Sequence, residues 1–244
     1  MWVAGNMEKE SVSTNCRGLR EDDSYACKSK KVRVSTIEGI VTIFNEEVYI
    51  PSDDTFIIVE GARYLIEGLA ERRFTLVEIG CGTGYVAISI LKNALNKDLL
   101  NIYAVLIDIS PCAVDSAAKS VKVNELDTYV DIVQCNSASC LRGESMKLIL
   151  FNPPYLPVED YGGWLAKSWS GGREGLVVWN EFFDDSLRVC GRDCIIVFVI
   201  SSLQNLGKVL QRLLSNCKCV EILMCESFFY ETICSASCKV GEVN

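Results

Sequence analysis

Val77-Glu78-Ile79-Gly80-Cys81-Gly82-Thr83-Gly84-Tyr85 reads as the end of a buried strand, a glycine turn and the start of a helix. Glycine lets the backbone turn tightly and approach a ligand with no Cβ in the way. The helix that follows offers its first N–H groups to that ligand. Outward from this point the chain alternates. Phe74–Ile79 is a predicted strand and Tyr85–Leu95 a helix. Asn101–Ile107, Tyr129–Cys135, Lys147–Phe151 and Asp193–Ile200 are further strands, with predicted helices over Pro111–Val123, Gly175–Val189 and Leu203–Leu214. Proline in the first turn favours the helix at Pro111. Apolar strands alternating with helices imply an α/β fold whose mostly parallel sheet is covered on both faces. Cys219–Glu226 and Thr232–Val240 have no helix between them and are expected to pair antiparallel, completing seven strands.

The 244 residues suit one large domain, and 49% hydrophobic against 23% charged residues is globular composition. Residues 1–31 are polar and read as a mobile tail, leaving 32–244 as the domain. Val32, Val34, Ile37, Ile40, Val41 and Ile43 around Glu38-Gly39 predict a hairpin within a 32–50 extension. Ser52 or Asp53 is the expected N-cap of a helix carrying Phe56 to Leu69. The net charge of −8 argues against bulk polyanion binding. The absence of histidine removes imidazole bases and ligands. The thirteen cysteines contain no C-x2-C pair, so no metal set is expected. They either fill the core as small hydrophobes or form intracellular disulfides. The start has no basic-then-apolar leader and no apolar run spans a bilayer, so the expectation is a cytoplasmic protein with no membrane partner.

The glycine spacing fails G-x-G-x-x-G, because Tyr85 stands at the last position, and no Gly-Lys-Ser/Thr ending makes a phosphate loop. Glu78 at the strand end tolerates a cationic ligand. Asp108, ending the next strand, can accept both hydroxyls of a ribose. Asn136, after the third, can meet an adenine amine. The fourth strand ends in Asn152-Pro153-Pro154-Tyr155. The prolines hold the chain extended and carry no N–H. The Asn152 side-chain oxygen and the Pro153 carbonyl can grip both hydrogens of a planar –NH2, with Tyr155 over its flat face. Alignment and charge stabilisation then replace a strong base.

The loop Glu78-x-Gly80-x-Gly82-x-Gly84 resembles the first motif of class I S-adenosylmethionine (SAM) methyltransferases. With Asn152–Tyr155 it resembles their amine- and amide-methylating branch. Val48-Tyr49-Ile50-Pro51-Ser52-Asp53-Asp54-Thr55-Phe56 is similar to the "VYxPxEDTF" signature of HemK/PrmC-type protein-glutamine methyltransferases, in their short eukaryotic and archaeal release-factor branch. Trp169-Ser170-Gly171-Gly172-Arg173-Glu174-Gly175 and Glu231-Thr232 match further segments of that branch. The resemblance runs from about Val48 to Val240. It implies a single Rossmann-like domain and a SAM site from Tyr49, Pro51, Thr55, Glu78, Gly80, Cys81, Gly82, Gly84, Asp108, Ile109, Asn136, Ser137 and Asn152. Catalysis falls to Asn152, Pro153, Pro154 and Tyr155, and substrate contact to Asn152, Pro153, Tyr155 and Trp169. The implied substrate is the glutamine of a Gly-Gly-Gln loop in a class I translation release factor. The implied partner is a small zinc-binding activator over an apolar sheet edge, in line with the mean hydropathy of +0.20. Ile50 departs from the usual acidic residue, Asp53 from Glu and Asn136 from Asp. The alternative is a nucleic-acid methyltransferase, because adenine, cytosine and guanine amines are planar too.

Overall fold

The computed structural model describes residues 27–241 except 30, 69–72, 97–100 and 161. The expected tail therefore lies mostly outside the described residues. Its end does not: Cys27 is disulfide-bonded to Cys112 and packs with Phe44, Val48 and Ala113.

Two strands open the fold, β1 (Arg33–Ile37) and β2 (Ile40–Phe44), paired antiparallel as the hairpin the sequence predicts. Helix α1 (Asp53–Glu67) starts at Ser52, whose N–H donates to Thr55 Oγ1 at 3.3 Å. Strand β3 (Arg73–Ile79), helix α2 (Tyr85–Asn96), strand β4 (Asn101–Asp108) and helix α3 (Pro111–Val123) follow. Ser110 caps α3 by accepting the Ala113 N–H at 3.3 Å. Strands β5 (Val130–Gln134) and β6 (Met146–Phe151) precede a short helix α4 (Trp164–Lys167) and helix α5 (Val177–Val189). Strand β7 (Cys190–Ser201), helix α6 (Leu206–Asn216), and strands β8 (Cys217–Ser227) and β9 (Thr232–Val240) complete the chain.

The seven-stranded sheet runs β5-β4-β3-β6-β7-β9-β8. Its first five strands are parallel, and β9 is antiparallel to both neighbours. The last two strands thus pair as expected, and β9 also takes the place beside β7. Side-chain alternation splits the core. Leu76, Leu148 and Leu150 pack with α1 and α2 residues such as Ile57 and Ile88. Val77, Ile79, Ile149 and Phe151 pack with Trp179 and Phe183 of α5 and Val209 and Leu213 of α6. The Trp179 and Phe183 rings stack at 4.9 Å, and Phe151 meets Trp179 edge-on. No helix among the described residues is long and apolar enough to cross a membrane.

Several boundaries differ from the sequence expectation, and the starts of three elements differ for evident reasons or by the most. The helix predicted from Gly175 begins at Val177, after a 3-10 turn over Arg173–Gly175 in which Glu174 and Gly175 have positive φ. The helix predicted from Leu203 begins at Leu206, because the Asn205 side chain accepts the Lys208 N–H and caps it there. Strand β7 starts at Cys190, three residues early, directly after α5.

Disulfides join Cys190 to Cys194, Cys217 to Cys238 and Cys225 to Cys234 as well. Cys190, Cys194, Cys217 and Cys238 are also buried, so at these positions core filling and disulfide bonding coincide.

The hairpin docks through side chains acting as a strand. Asn124 Nδ2 donates to Val41 O (2.6 Å) and Asn124 Oδ1 accepts from Val41 N (3.2 Å). Ser120 Oγ accepts the Ile43 N–H at 2.9 Å. Asn124 is buried, so its loss strands both polar groups of Val41. Asn124→Ala is expected to lower stability by about 1–3 kcal/mol, read as a drop in the urea midpoint at constant slope. An unchanged midpoint would mean other contacts hold the hairpin.

Candidate active site

Register builds the site. Ile79 pairs with Ile107 on one side and Phe151 on the other. The next residues, Gly80, Asp108 and Asn152, therefore leave three adjacent strands in one row at the C-terminal edge of the sheet. Asp108 pairs with Gln134, which brings Cys135, Asn136 and Ser137 to the same edge. A cavity of about 520 Å³ opens there. Every residue the sequence assigned to the site lines it except Gly84. A Cβ on Gly84 would meet Leu106 Cδ2 at 3.0 Å, so this glycine serves packing of the helix start.

The glycine loop is stitched to β4. Gly80 N and Cys81 N both donate to Ile107 O (2.8 and 3.0 Å), and Gly82 N donates to Asp108 Oδ2 at 2.9 Å. The other Asp108 oxygen accepts Ser110 N at 2.8 Å. Gly80, Gly82 and Gly84 all have positive φ, a backbone other residues adopt only with strain. Burial raises the Asp108 carboxyl above its usual range, while the Gly82, Ser110 and Ile109 N–H groups pull it back. A carboxylate has about four acceptor sites, so acceptor capacity remains for a ribose hydroxyl beside these three N–H groups.

Glu78 is buried, and its Oε2 accepts the Ala87 N–H at 2.9 Å. Its carboxylate thus holds the first turns of α2 while lining the cavity. Burial pushes its pKa up to about 8, against the opposing pull of Ala87 and with help from Asp108. Burial, then Asp108 and Glu78, also keep the Cys81 thiol protonated, which rules it out as a nucleophile at neutral pH. Asn136 Nδ2 donates to Glu181 Oε1 at 2.5 Å, leaving its carbonyl oxygen to face an amine. Ser137 has positive φ and a buried hydroxyl without a partner.

At the end of β6 Asn152 Oδ1 is buried with no hydrogen-bond donor. An orphaned acceptor of this kind costs about 1–3 kcal/mol unless a ligand supplies the N–H. Pro153, Pro154 and Tyr155 follow it along the cavity. The Trp169–Gly175 segment explains itself against this tetrapeptide. Leu156 N donates to Trp169 O (3.0 Å) and Gly171 N to Leu156 O (2.8 Å). A Cβ on Gly171 would lie 2.8 Å from the Pro154 carbonyl oxygen. A Cβ on Gly175, at φ +67°, would collide with the Tyr155 carbonyl oxygen. The two glycines let one chain pass directly over the other.

Several lining residues carried no site role in the sequence reading. Asp54 heads α1, Lys167 ends α4, Glu181 and Phe182 lie on α5, and Glu231 precedes β9 and accepts the Ser201 hydroxyl at 2.9 Å. They converge only through tertiary folding. Among the described residues no group of three or more His, Cys, Asp or Glu is arranged to hold a metal ion.

The glycine cradle, the half-buried Asp108 and the orphaned Asn152 acceptor fit SAM beside a planar amide or amine. Comparison with known proteins agrees. The methyltransferase small domain model matches residues 57–223, and the chain belongs to that family. The putative protein N5-glutamine methyltransferase of Methanocaldococcus jannaschii is 27% identical over 180 residues, 72% of this chain and 84% of that protein. The release factor glutamine methyltransferase of Bacillus cereus is 27% identical over 181 residues, 70% of this chain but only 62% of its own length. Among solved structures, the E. cuniculi Mtq2–Trm112 complex, responsible for methylation of the eRF1 translation termination factor, has a TM-score of 0.57 at 21% identity. It covers 80% of this chain and 99% of that one, and establishes the shared fold.

Gly175→Ala is expected to displace Tyr155 and lower methyl-transfer kcat at least tenfold, with SAM affinity held within about threefold, as lost alignment requires. Equal loss of both would place Gly175 in the cofactor wall instead. A second outcome concerns pH. The Glu78 pKa is raised on folding from 4.5 to about 8. The folded chain keeps a proton the unfolded chain releases, so this contribution to stability is full below about pH 4.5 and is lost as pH rises through about 8. Between pH 5 and 8 the ligand-free wild type should lose urea stability relative to Glu78→Gln. Parallel curves would show that Glu78 is ionised in the fold throughout.

Proposed function

We propose that this member of the methyltransferase small domain family methylates the side-chain amide nitrogen of the glutamine in the Gly-Gly-Gln loop of a class I translation release factor. SAM supplies an electrophilic methyl group on a sulfonium. In this reading Gly80, Gly82, Asp108 and Asn136 hold the cofactor, with Tyr49, Pro51 and Thr55 closing the wall beside it.

The observation that carries the proposal is the buried, donor-free Asn152 Oδ1. A glutamine amide brings two N–H donors in one plane. Asn152 Oδ1 accepts one and the Pro153 carbonyl the other, which aims the nitrogen into the cavity. Amide nitrogen is a weak nucleophile, because its lone pair is delocalised into the carbonyl. As the N–CH3 bond forms and the methyl group's bond to the sulfonium sulfur breaks, positive charge grows on nitrogen until its proton leaves to solvent. Two fixed acceptors stabilise that charge more than they stabilise the neutral amide. Both acceptors are oxygen atoms that the fold holds in place, so no histidine is needed. Tyr155 and Trp169 cover the face of the bound segment.

Charge favours a protein acceptor over a nucleic acid. The cavity wall carries the acidic side chains Glu47, Asp54, Asp108, Glu181 and Glu231, besides the proton-holding Glu78, against one ammonium, Lys167. A phosphate backbone crossing that mouth would meet repulsion rather than the lysines and arginines it needs. The Mtq2–Trm112 neighbour is a complex, which supports adding a partner subunit. That this partner is a small zinc-binding activator over an apolar sheet edge is part of the same proposal. Cytoplasmic residence follows from a translation-factor substrate and is part of the same proposal.

Labelled SAM tests it. The protein, with and without such an activator, meets a class I release factor, that factor with its loop Gln→Ala, bulk tRNA and DNA. Label on the factor and none on its variant is the expected outcome. Label on nucleic acid alone would move the enzyme to nucleobase amines.

A further inference from the structure

Between β8 and β9 the chain reverses over Phe228-Phe229-Tyr230-Glu231, closed by Phe228 N donating to Glu231 O at 2.7 Å. Tight hairpin turns favour glycine, asparagine and aspartate at their centre. Here the centre is two aromatic residues. They are also the two most exposed large apolar side chains among the described residues, Tyr230 at 76% and Phe229 wholly exposed. A single exposed aromatic on a surface needs no explanation. Two in succession, at a turn whose chemistry does not ask for them and with no burial in return, are not accounted for by folding.

Their place supplies the reason. Ser201, the last residue of β7, pairs with Ile233 near the start of β9, and β7 lies beside β6, the strand that leads to Asn152. The turn therefore stands at the C-terminal edge of the parallel strands, where the cavity opens. Tyr230 and Glu231 line that cavity and Phe229 does not. One ring of the pair belongs to the cavity wall and the next to the surface outside it. The base beneath them is fixed. Phe228 packs against the core, and Glu231 Oε2 accepts the Ser201 hydroxyl at 2.9 Å. Thr232 N donates to Ser202 Oγ at 2.9 Å, and the Cys225–Cys234 disulfide ties the two strands below the turn. Rings presented on a fixed base lose little freedom on binding, and aromatic anchors of this kind carry much of the energy of protein interfaces.

We propose that Phe229 and Tyr230 form a docking element for the acceptor protein, taking an apolar or long basic side chain that lies beside the methylated residue. This deepens the transfer reading above and rests on it. An acceptor residue seated at Asn152 carries its neighbours past the cavity mouth, and the step from Tyr230 to Phe229 continues the wall of the site onto the surface they meet. Charge selects among occupants. Glu47, Asp54, Glu181 and Glu231 line the same cavity, which favours lysine or arginine, and the stems and cationic heads of both suit ring faces. Bases of a single-stranded nucleic acid stack on such rings as well, but their phosphates would face these acids.

Labelled-SAM kinetics with a class I release factor and with bulk tRNA test it on the wild type, Phe229→Ala, Tyr230→Ala and a control, Tyr64→Ala. Tyr64 is another exposed aromatic, on α1 and outside the cavity lining. Phe229→Ala is expected to raise the KM for the factor about fivefold or more, the scale of an interface anchor. Its kcat and KM for SAM should stay within about twofold and its urea midpoint should not move, because the ring is exposed in the free protein. Tyr230→Ala should raise the same KM, and Tyr64→Ala should leave it unchanged. A wild-type KM in Phe229→Ala would overturn the docking element, while label on the factor would keep the release-factor reading. A fall in kcat or in the urea midpoint with KM unchanged would overturn it too, because the turn would then serve the fold. An equal rise in KM for Tyr64→Ala would reduce the effect to unspecific apolar contact. Label on tRNA alone from the wild type would overturn both the release-factor reading and a protein occupant.

Discussion

The parallel register of three central strands is the constraint on which the site depends. Ile79, Ile107 and Phe151 lie side by side, and each is fully buried. Shifting any one strand by a residue would turn its apolar side chains to the wrong face. The core therefore fixes where each strand ends, and the row of Gly80, Asp108 and Asn152 follows from it. Chemistry is placed here by hydrophobic packing. The polar groups of the site need no interaction with each other to be aligned across the cavity.

The same logic explains why the loops are so strict. A strand that ends against its neighbours must turn at once. The Gly80–Gly84 loop does so with positive φ and with its N–H groups committed to Ile107 and Asp108. The Asn152–Tyr155 stretch continues extended instead, because prolines follow, and the Trp169–Gly175 segment crosses over it at distances only glycine allows. In the proposed function one loop bends around the cofactor and the other points acceptors at the substrate amide. Carboxylates gather in the space between them, which suits a cationic donor and a neutral amide.

The parts legible in the sequence were those carried by local pattern. The apolar runs, the glycine spacing, the Asn-Pro-Pro-Tyr tetrapeptide, the cap at Ser52 and the proline opening the helix at Pro111 each depend on residues close together in the chain. What escaped was tertiary. The docking of the hairpin rests on Asn124 and Ser120, some eighty residues from the strand they serve. Asp54, Glu181 and Glu231 meet in one cavity from three distant elements. The helix predicted from Gly175 starts later because Gly175 passes the Tyr155 carbonyl in a left-handed conformation. The Leu203 boundary moved because a side-chain cap at Asn205 outweighed the apolar pattern before it.

The central claim is a division of labour: the loop beyond β3 and the end of β4 hold the cofactor, and the end of β6 holds the acceptor. Calorimetric titration of SAM into the wild type, Asp108→Ala and Asn152→Ala tests it most directly. The account predicts that Asp108→Ala weakens SAM binding by about 1–3 kcal/mol, the scale of charge-assisted hydrogen bonds, while Asn152→Ala stays within a few-fold of wild type. Equal loss of SAM affinity in the two variants would contradict it.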